Sequence, residues 1–310
     1  MTALSPSARF LTLLRREWLQ HKAGWLVIVA VPPLIGLLLL LVGQVTNDID
    51  DEDRTFVFDR VPALALAAAT MLGSGVLTFL LAWAATLIVA PTVVRRDVQD
   101  RSIEFWLSLP TGHAASVTAP LLAHLVLFPL AALLVGMAVG IPLSLAVVAR
   151  FIGLAEWLTL PWDSLAAVWL AVTLRMALAL VLATLWLSPL ILLVEAASAW
   201  LKRWGIPAVV LGITVAGNVL EKVFGFSWVW DFGQRLFTRA GRSFFTGKVQ
   251  GGLNFGPGRD PMQQISALPG QLLQDAGHAV AALADPLLLP ALAVAVGCFG
   301  LLVLRRRQGH

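Results

Sequence analysis

The chain alternates long apolar runs with shorter polar connectors, and the runs set its architecture. The first covers Trp25 to Val45 and is interrupted only by Pro32 and Pro33. Others follow at about Leu64–Val94, Val117–Val148, Leu165–Val194, Ile206–Phe224 and Pro286–Leu304. About 20 apolar helical residues cross a hydrocarbon core. The pattern therefore predicts an all-α integral membrane protein with six transmembrane helices in a single transmembrane domain over 1–310. Runs longer than a bilayer needs must tilt, kink or project past it. Pro91, Pro129, Pro142 and Pro189 mark kinks or ends.

Two further segments are patterned without being spans. Ahead of the first run, Phe10, Leu11, Leu14 and Trp18 share one helical face, with Arg15, Arg16 and Gln20 away from it. This predicts an N-terminal amphipathic helix over about 8–22, lying on the membrane surface. The connection from Gly225 to Ala284 starts with Phe226, Trp228, Trp230, Phe232, Phe237, Phe244 and Phe245, interleaved with Arg235, Arg239, Arg242 and Lys248. Rings and long basic side chains both favour the headgroup zone, which predicts re-entrant or interfacial helices before the last span. Gly251, Gly252, Gly256, Pro257 and Gly258 then predict a turn.

Charge placement orients the chain. Arg9, Arg15, Arg16 and Lys22 precede the first span, whereas Asp48, Asp50, Asp51, Glu52 and Asp53 follow it. Arg95, Arg96 and Arg101 lie between spans two and three, Lys202 and Arg203 follow span four, and Arg305, Arg306 and Arg307 close the last span. The positive-inside rule puts both termini in the cytoplasm, and the membrane expected is the cell inner (cytoplasmic) membrane. The basic 225–284 connection is long enough for that rule to lose force, and it falls outside. Charged residues make up 13% of the chain and hydrophobic ones 58%, too few charges for an ordinary soluble domain. The net charge of +4 is thus a topology signal and not a nucleic-acid footprint.

Little chemistry of an enzyme is visible. The single cysteine, Cys298, excludes a disulfide framework. His124 stands alone in the third run, and no His/Glu pair is expected to have zinc-ligand spacing. Gly241 to Val249 imitates a phosphate-binding loop, but five residues separate its glycines and Val249 follows Lys248. That motif needs four, with Ser or Thr after the lysine, and this stretch lies on the outer side. Within the spans, Arg175 calls for an anionic group of substrate or lipid, a structural carboxylate such as Glu156, or snorkelling to the interface. Ser74 and Thr78 on span two, with Thr214 and Asn218 on span five, are pathway candidates or packing groups.

The connector Arg95–His113 reads RRDVQDRSIEFWLSLPTGH. Arg101 and Glu104 flank Phe105, Trp106 and Leu109, and the pattern stops at Pro110. Aromatic anchors ringed by charge suit a protein-docking knob, and equally a helix anchored at the membrane boundary. The charged start Arg95-Arg96-Asp97, the Ser102-Ile103-Glu104 step and the Phe105-to-Pro110 apolar patch resemble the permease subunits of type-2 ATP-binding-cassette exporters. The residues before Glu104 differ from the Gly-Thr pair common there. The resemblance implies a coupling helix at 95–113 that docks a cytoplasmic ATP-binding-cassette ATPase through Arg101, Glu104, Phe105, Trp106 and Leu109. It further implies a second permease copy or a homologous permease, and a surface helix touching the same ATPase. Spans two and five would line the route. ATP and Mg would be bound by the partner, so no cofactor is expected in this chain and the chain is not itself an enzyme. The cargo expected is amphipathic, peptide or lipid-like. A secondary transporter and a non-transporting membrane scaffold or assembly protein are the competing functions.

Overall fold

The structure, a computed structural model, describes residues 5–42, 62–99, 112–244 and 260–308. The described residues are almost entirely helical and contain no strand. In chain order the helices are α1 (Pro6–Val42), α2 (Ala63–Gln99), α3 (His113–Leu122), α4 (Phe128–Phe151), α5 (Leu154–Leu158) and α6 (Trp162–Leu201). They continue as α7 (Gly205–Phe224), α8 (Trp228–Phe244), α9 (Pro261–Ala281) and α10 (Leu288–Arg307). A π-helical turn, Ala123–Leu127, joins α3 to α4 without breaking the rod.

Local signals set several boundaries. The Ser5 hydroxyl accepts from the Ala8 amide at 3.3 Å, and Pro6 takes the first helical position of α1, where its missing N–H costs nothing. Asp260 and Pro261 repeat the device at α9, with the carboxylate accepting from the Met262 amide. Gly225, at φ 73°, closes α7 in the left-handed conformation that favours glycine.

Five helical stretches among the described residues are long and apolar enough to cross a membrane. They begin at Pro6, Ala63, His113, Trp162 and Leu288. Their outward faces carry exposed leucine, valine and isoleucine, such as Leu26, Leu34, Leu77, Ile88, Val215 and Val296. A water-facing surface rarely shows so much contiguous apolar area. The chain is thus a helical, multi-pass membrane protein. The stretch from Trp162 holds both α6 and α7, divided at Lys202–Trp204, where Lys202 has φ 54°. A side-chain carbon on Gly205 would come within 2.4 Å of the Ser198 backbone, and Ile213 faces the same cavity as Leu190. α7 therefore doubles back along α6.

The expected surface helix over 8–22 does not form a separate element. α1 runs unbroken from Pro6 through Val42, because the stretch around Gln20 to Trp25 holds no proline, and Gly24 alone costs only about 1 kcal/mol. The 225–284 connection is helical over α8 and α9, while 245–259 lies outside the described residues.

The most extensive helix pair is α2 against α4. Glycines bring it close: a side-chain carbon at Gly75 would collide with Met137, one at Gly136 with Thr78, and one at Gly140 with the Met71 backbone. Gly136 and Gly140 form a small-x-x-x-small step, which lets membrane helices gain dispersion contact where lipid supplies no hydrophobic drive. Phe79, Leu133, Met137, Leu165, Met176 and Leu180 fill the main core shared by α2, α4 and α6. α6 is central. α8, α9 and α10 all pack on it.

Candidate functional site

Three polar groupings sit inside this apolar bundle. In the first, Arg175 of α6 is buried and reaches two other helices. Its Nε and Nη2 donate to Oδ2 of Asp275 on α9 at 2.9 and 2.6 Å, and Nη1 donates to the Ser243 carbonyl of α8 at 2.7 Å. Asp275 and Ser243 are buried as well. The aspartate, at 100 positions' separation, is the carboxylate partner, and not Glu156, which is exposed on α5. A buried charge is tolerated when paired and hydrogen-bonded, and this one ties the last turn of α8 to α9 across α6. α8 presents Leu236, Ala240 and Ser243 to the bundle, a buried stripe of helical period. Arg239, one turn before Ser243, pairs with Asp285 ahead of α10. The Leu287 amide donates to Asp285 and, together with Arg239, holds its carboxyl below the usual carboxylate range.

The second grouping joins α1 to the π-turn. Glu17 and His21 lie one helical turn apart, and His124 comes in from the π-turn. Glu17 Oε2 is 3.7 Å from His124 Nε2 and 3.9 Å from His21 Nδ1. Glu17 and His124 are each 2% exposed. Thr86 of α2 anchors the turn by donating to the His124 carbonyl at 3.0 Å. The third is Glu195 of α6. It is buried, and neither carboxylate oxygen has a hydrogen-bond partner among the described residues.

The pathway candidates are placed on three different surfaces. Ser74 donates to the Gly136 carbonyl at 3.2 Å and Thr78 is buried against Gly136, both at the α2–α4 seam. Arg175 belongs to the α6–α8–α9 ion pair. Thr214 is exposed, and Asn218 donates back to the Thr214 carbonyl at 2.8 Å on α7. The docking candidates Arg101, Glu104, Phe105, Trp106 and Leu109 lie outside the described residues. The phosphate-loop imitation begins in the last turn of α8 at Gly241 and continues into 245–250, also outside them.

A cavity of about 530 Å³ opens where α6, α7, α8 and α10 meet. Pro189, Leu193, Ile213, Trp230, Phe237 and Val294 line it, and Gln234 adds a polar side chain. That volume suits a small-molecule or acyl-chain ligand.

Sequence reasoning missed the Glu17–His21–His124 grouping. Glu17 and His21 do sit at i,i+4, which puts them on one helix face, but His124 is remote in sequence. The Gly136-x-x-x-Gly140 step was a readable signal for the α2–α4 seam. Nothing in the sequence distinguished Asp275 as the partner of Arg175. Comparison with protein-family models, curated proteins and solved structures yields no match.

Proposed function

We propose that this chain is the transmembrane permease subunit of an ATP-driven exporter of the type-2 ATP-binding-cassette class. The observation that carries the reading is the Arg95–His113 segment, a charged and aromatic connector set between two membrane helices. The chain crosses the bilayer six times, with α6 and α7 counted as separate spans, and the doubling back of α7 supports that count. Both termini are cytoplasmic, so Glu104 and Trp106 meet the partner ATPase, and the connection holding α8 and α9 lies outside. A second permease copy, identical or homologous, completes the pathway. In such a pair the side of α7 that carries Thr214 and Asn218 turns toward the partner. The cavity beside Pro189 receives the apolar part of an amphipathic or lipid-like cargo.

The test is to purify the chain from its own cells and to identify a co-purifying ATPase. Glu104→Ala with Trp106→Ala should abolish that association and the ATP hydrolysis stimulated by the permease. If both persist unchanged, the coupling assignment is wrong.

Ion-coupled secondary transport is favoured by one observation, the buried Glu195 with no hydrogen-bond partner among the described residues. Ionisable groups inside a membrane mark ion or proton routes by default. Transport into vesicles that runs on an ion gradient without ATP, and stops in Glu195→Gln, would establish that alternative.

A further inference from the structure

The geometry around Glu17, His21 and His124 points to a binding site for one divalent transition-metal ion of the zinc class, and we propose that these three side chains are its protein ligands. The inference does not rest on the transport reading.

The donor set comes first. Two imidazoles and one carboxylate suit zinc and its borderline neighbours, whereas magnesium and calcium ask for oxygens. Three protein ligands also leave the fourth tetrahedral position to water. One ligand atom from each residue lies within 4.8 Å of the other two. Bonds of about 2.0–2.2 Å to zinc place tetrahedral ligands roughly 3.3 Å apart. The 3.7 Å separation between Glu17 Oε2 and His124 Nε2 therefore exceeds the bound geometry by only about half an ångström. Small side-chain rotations close that gap.

An independent observation concerns His124. Its ring is buried, and neither Nδ1 nor Nε2 has a hydrogen-bond partner among the described residues. Buried imidazole nitrogens are ordinarily satisfied. Here Nε2 is aimed at the Glu17 carboxylate, and the ring stands edge-on to His21, with centroids 4.5 Å apart. An ion between them supplies the partner that Nε2 lacks.

The backbone holds the ligands in place. Glu17 and His21 are one turn apart on α1, so they project from one face. The π-helical turn carries His124, and such turns recur at functional sites because they re-aim a side chain within a continuous helix. Thr86 fixes the turn through the His124 carbonyl, and Trp25 and Phe128 pack beside the ring. Around the site, Arg16 donates from Nε to Glu17 Oε1 at 3.1 Å, while Oε2 faces the two histidines. Hydrogen bonds to a ligating carboxylate are the usual outer shell of a metal site. His21 Nδ1 lies 3.0 Å from the Glu17 carbonyl, and donating its proton there leaves the ring's lone pair on Nε2. Occupied, the site clamps α1 to the α3–α4 rod.

The full chain, purified in detergent and stripped with chelator, is titrated with zinc against a chromophoric chelator, and separately with cobalt(II) for its visible absorption. The expected result is one ion per chain with a tetrahedral cobalt spectrum. Glu17→Gln, His21→Asn and His124→Asn should each weaken binding by at least about tenfold, while His113→Ala with His278→Ala leaves it unchanged. His21 is the least buried of the three, so His21→Asn keeps the test sound if the other two variants disturb folding, which circular dichroism reports. The proposal is overturned if the wild type binds no stoichiometric ion. It is equally overturned if binding survives all three substitutions.

Discussion

Replacing Gly140 by alanine adds a single methyl group where α4 meets the backbone of α2. An ideal Cβ there would lie 2.3 Å from the Met71 carbonyl oxygen and 3.0 Å from both its carbonyl carbon and its Cα. Comfortable carbon–oxygen contact begins near about 3.3 Å, so the helices must part by about 1 Å along that line. The obstructing atoms are backbone, so no side-chain rotation relieves the clash. A gap of 0.5–1 Å forfeits roughly a quarter to a half of each dispersion contact it opens. Forced overpacking costs about 1–3 kcal/mol, and a backbone collision belongs at the upper end. Alanine also returns up to about 1 kcal/mol of helix propensity. Gly73→Ala is the matched control: it lies on α2, and a Cβ there meets nothing within 4 Å. Reversible unfolding in mixed micelles, followed by helicity, should separate the two variants by about 2–3 kcal/mol, with Gly140→Ala the weaker. Equal stability of the two variants, within about 0.5 kcal/mol, would refute glycine-dictated packing of this seam.

Asp275→Asn leaves Arg175 charged, buried and without its anion, and should cost about 3–5 kcal/mol in the same assay. Arg175→Met with Asp275→Leu should recover most of that loss if the pair is structural, and unrecovered transport would instead assign the pair a role in the cycle. Asp285 is held below the usual carboxylate range, so its contribution is present above that range and lost as pH falls through the lowered value. Because the Arg239–Asp285 pair is water-accessible, the loss should stay under about 1 kcal/mol, and Asp285→Asn should abolish this acid-side dependence in a pH series of melts. Gly233 borders the 530 Å³ cavity, and a Cβ there meets open space. Gly233→Leu should fold normally yet reduce co-purified lipid measured by mass spectrometry, and undiminished lipid would separate the cavity from cargo binding.

The apolar runs were enough to place the helices, because a membrane helix satisfies its backbone internally and must be apolar over its own length. The runs from Leu64, Val117, Leu165 and Ile206 lie within helices found in the structure, and the run from Pro286 does so from Leu288 onward. The break before Gly205 was likewise readable from Lys202 and Arg203. Continuity of α1 was not legible, since amphipathic and apolar stretches follow one another without a breaker and only the folded chain shows one rod. Which helices touch was decided in three dimensions. Lipid-facing and core-facing leucines read alike in a sequence, so Leu77 is exposed while Leu72 is buried. The polar groupings follow the same logic. Arg175 announced that it needed a partner, but only packing chose Asp275 over Glu156. His124 looked solitary in sequence, and the crossing of α1 over the π-turn is what sets it beside Glu17 and His21. Local pattern fixes elements because hydrogen bonding and hydropathy act along the helix. Sites depend on contacts between distant residues, which tertiary structure alone brings together.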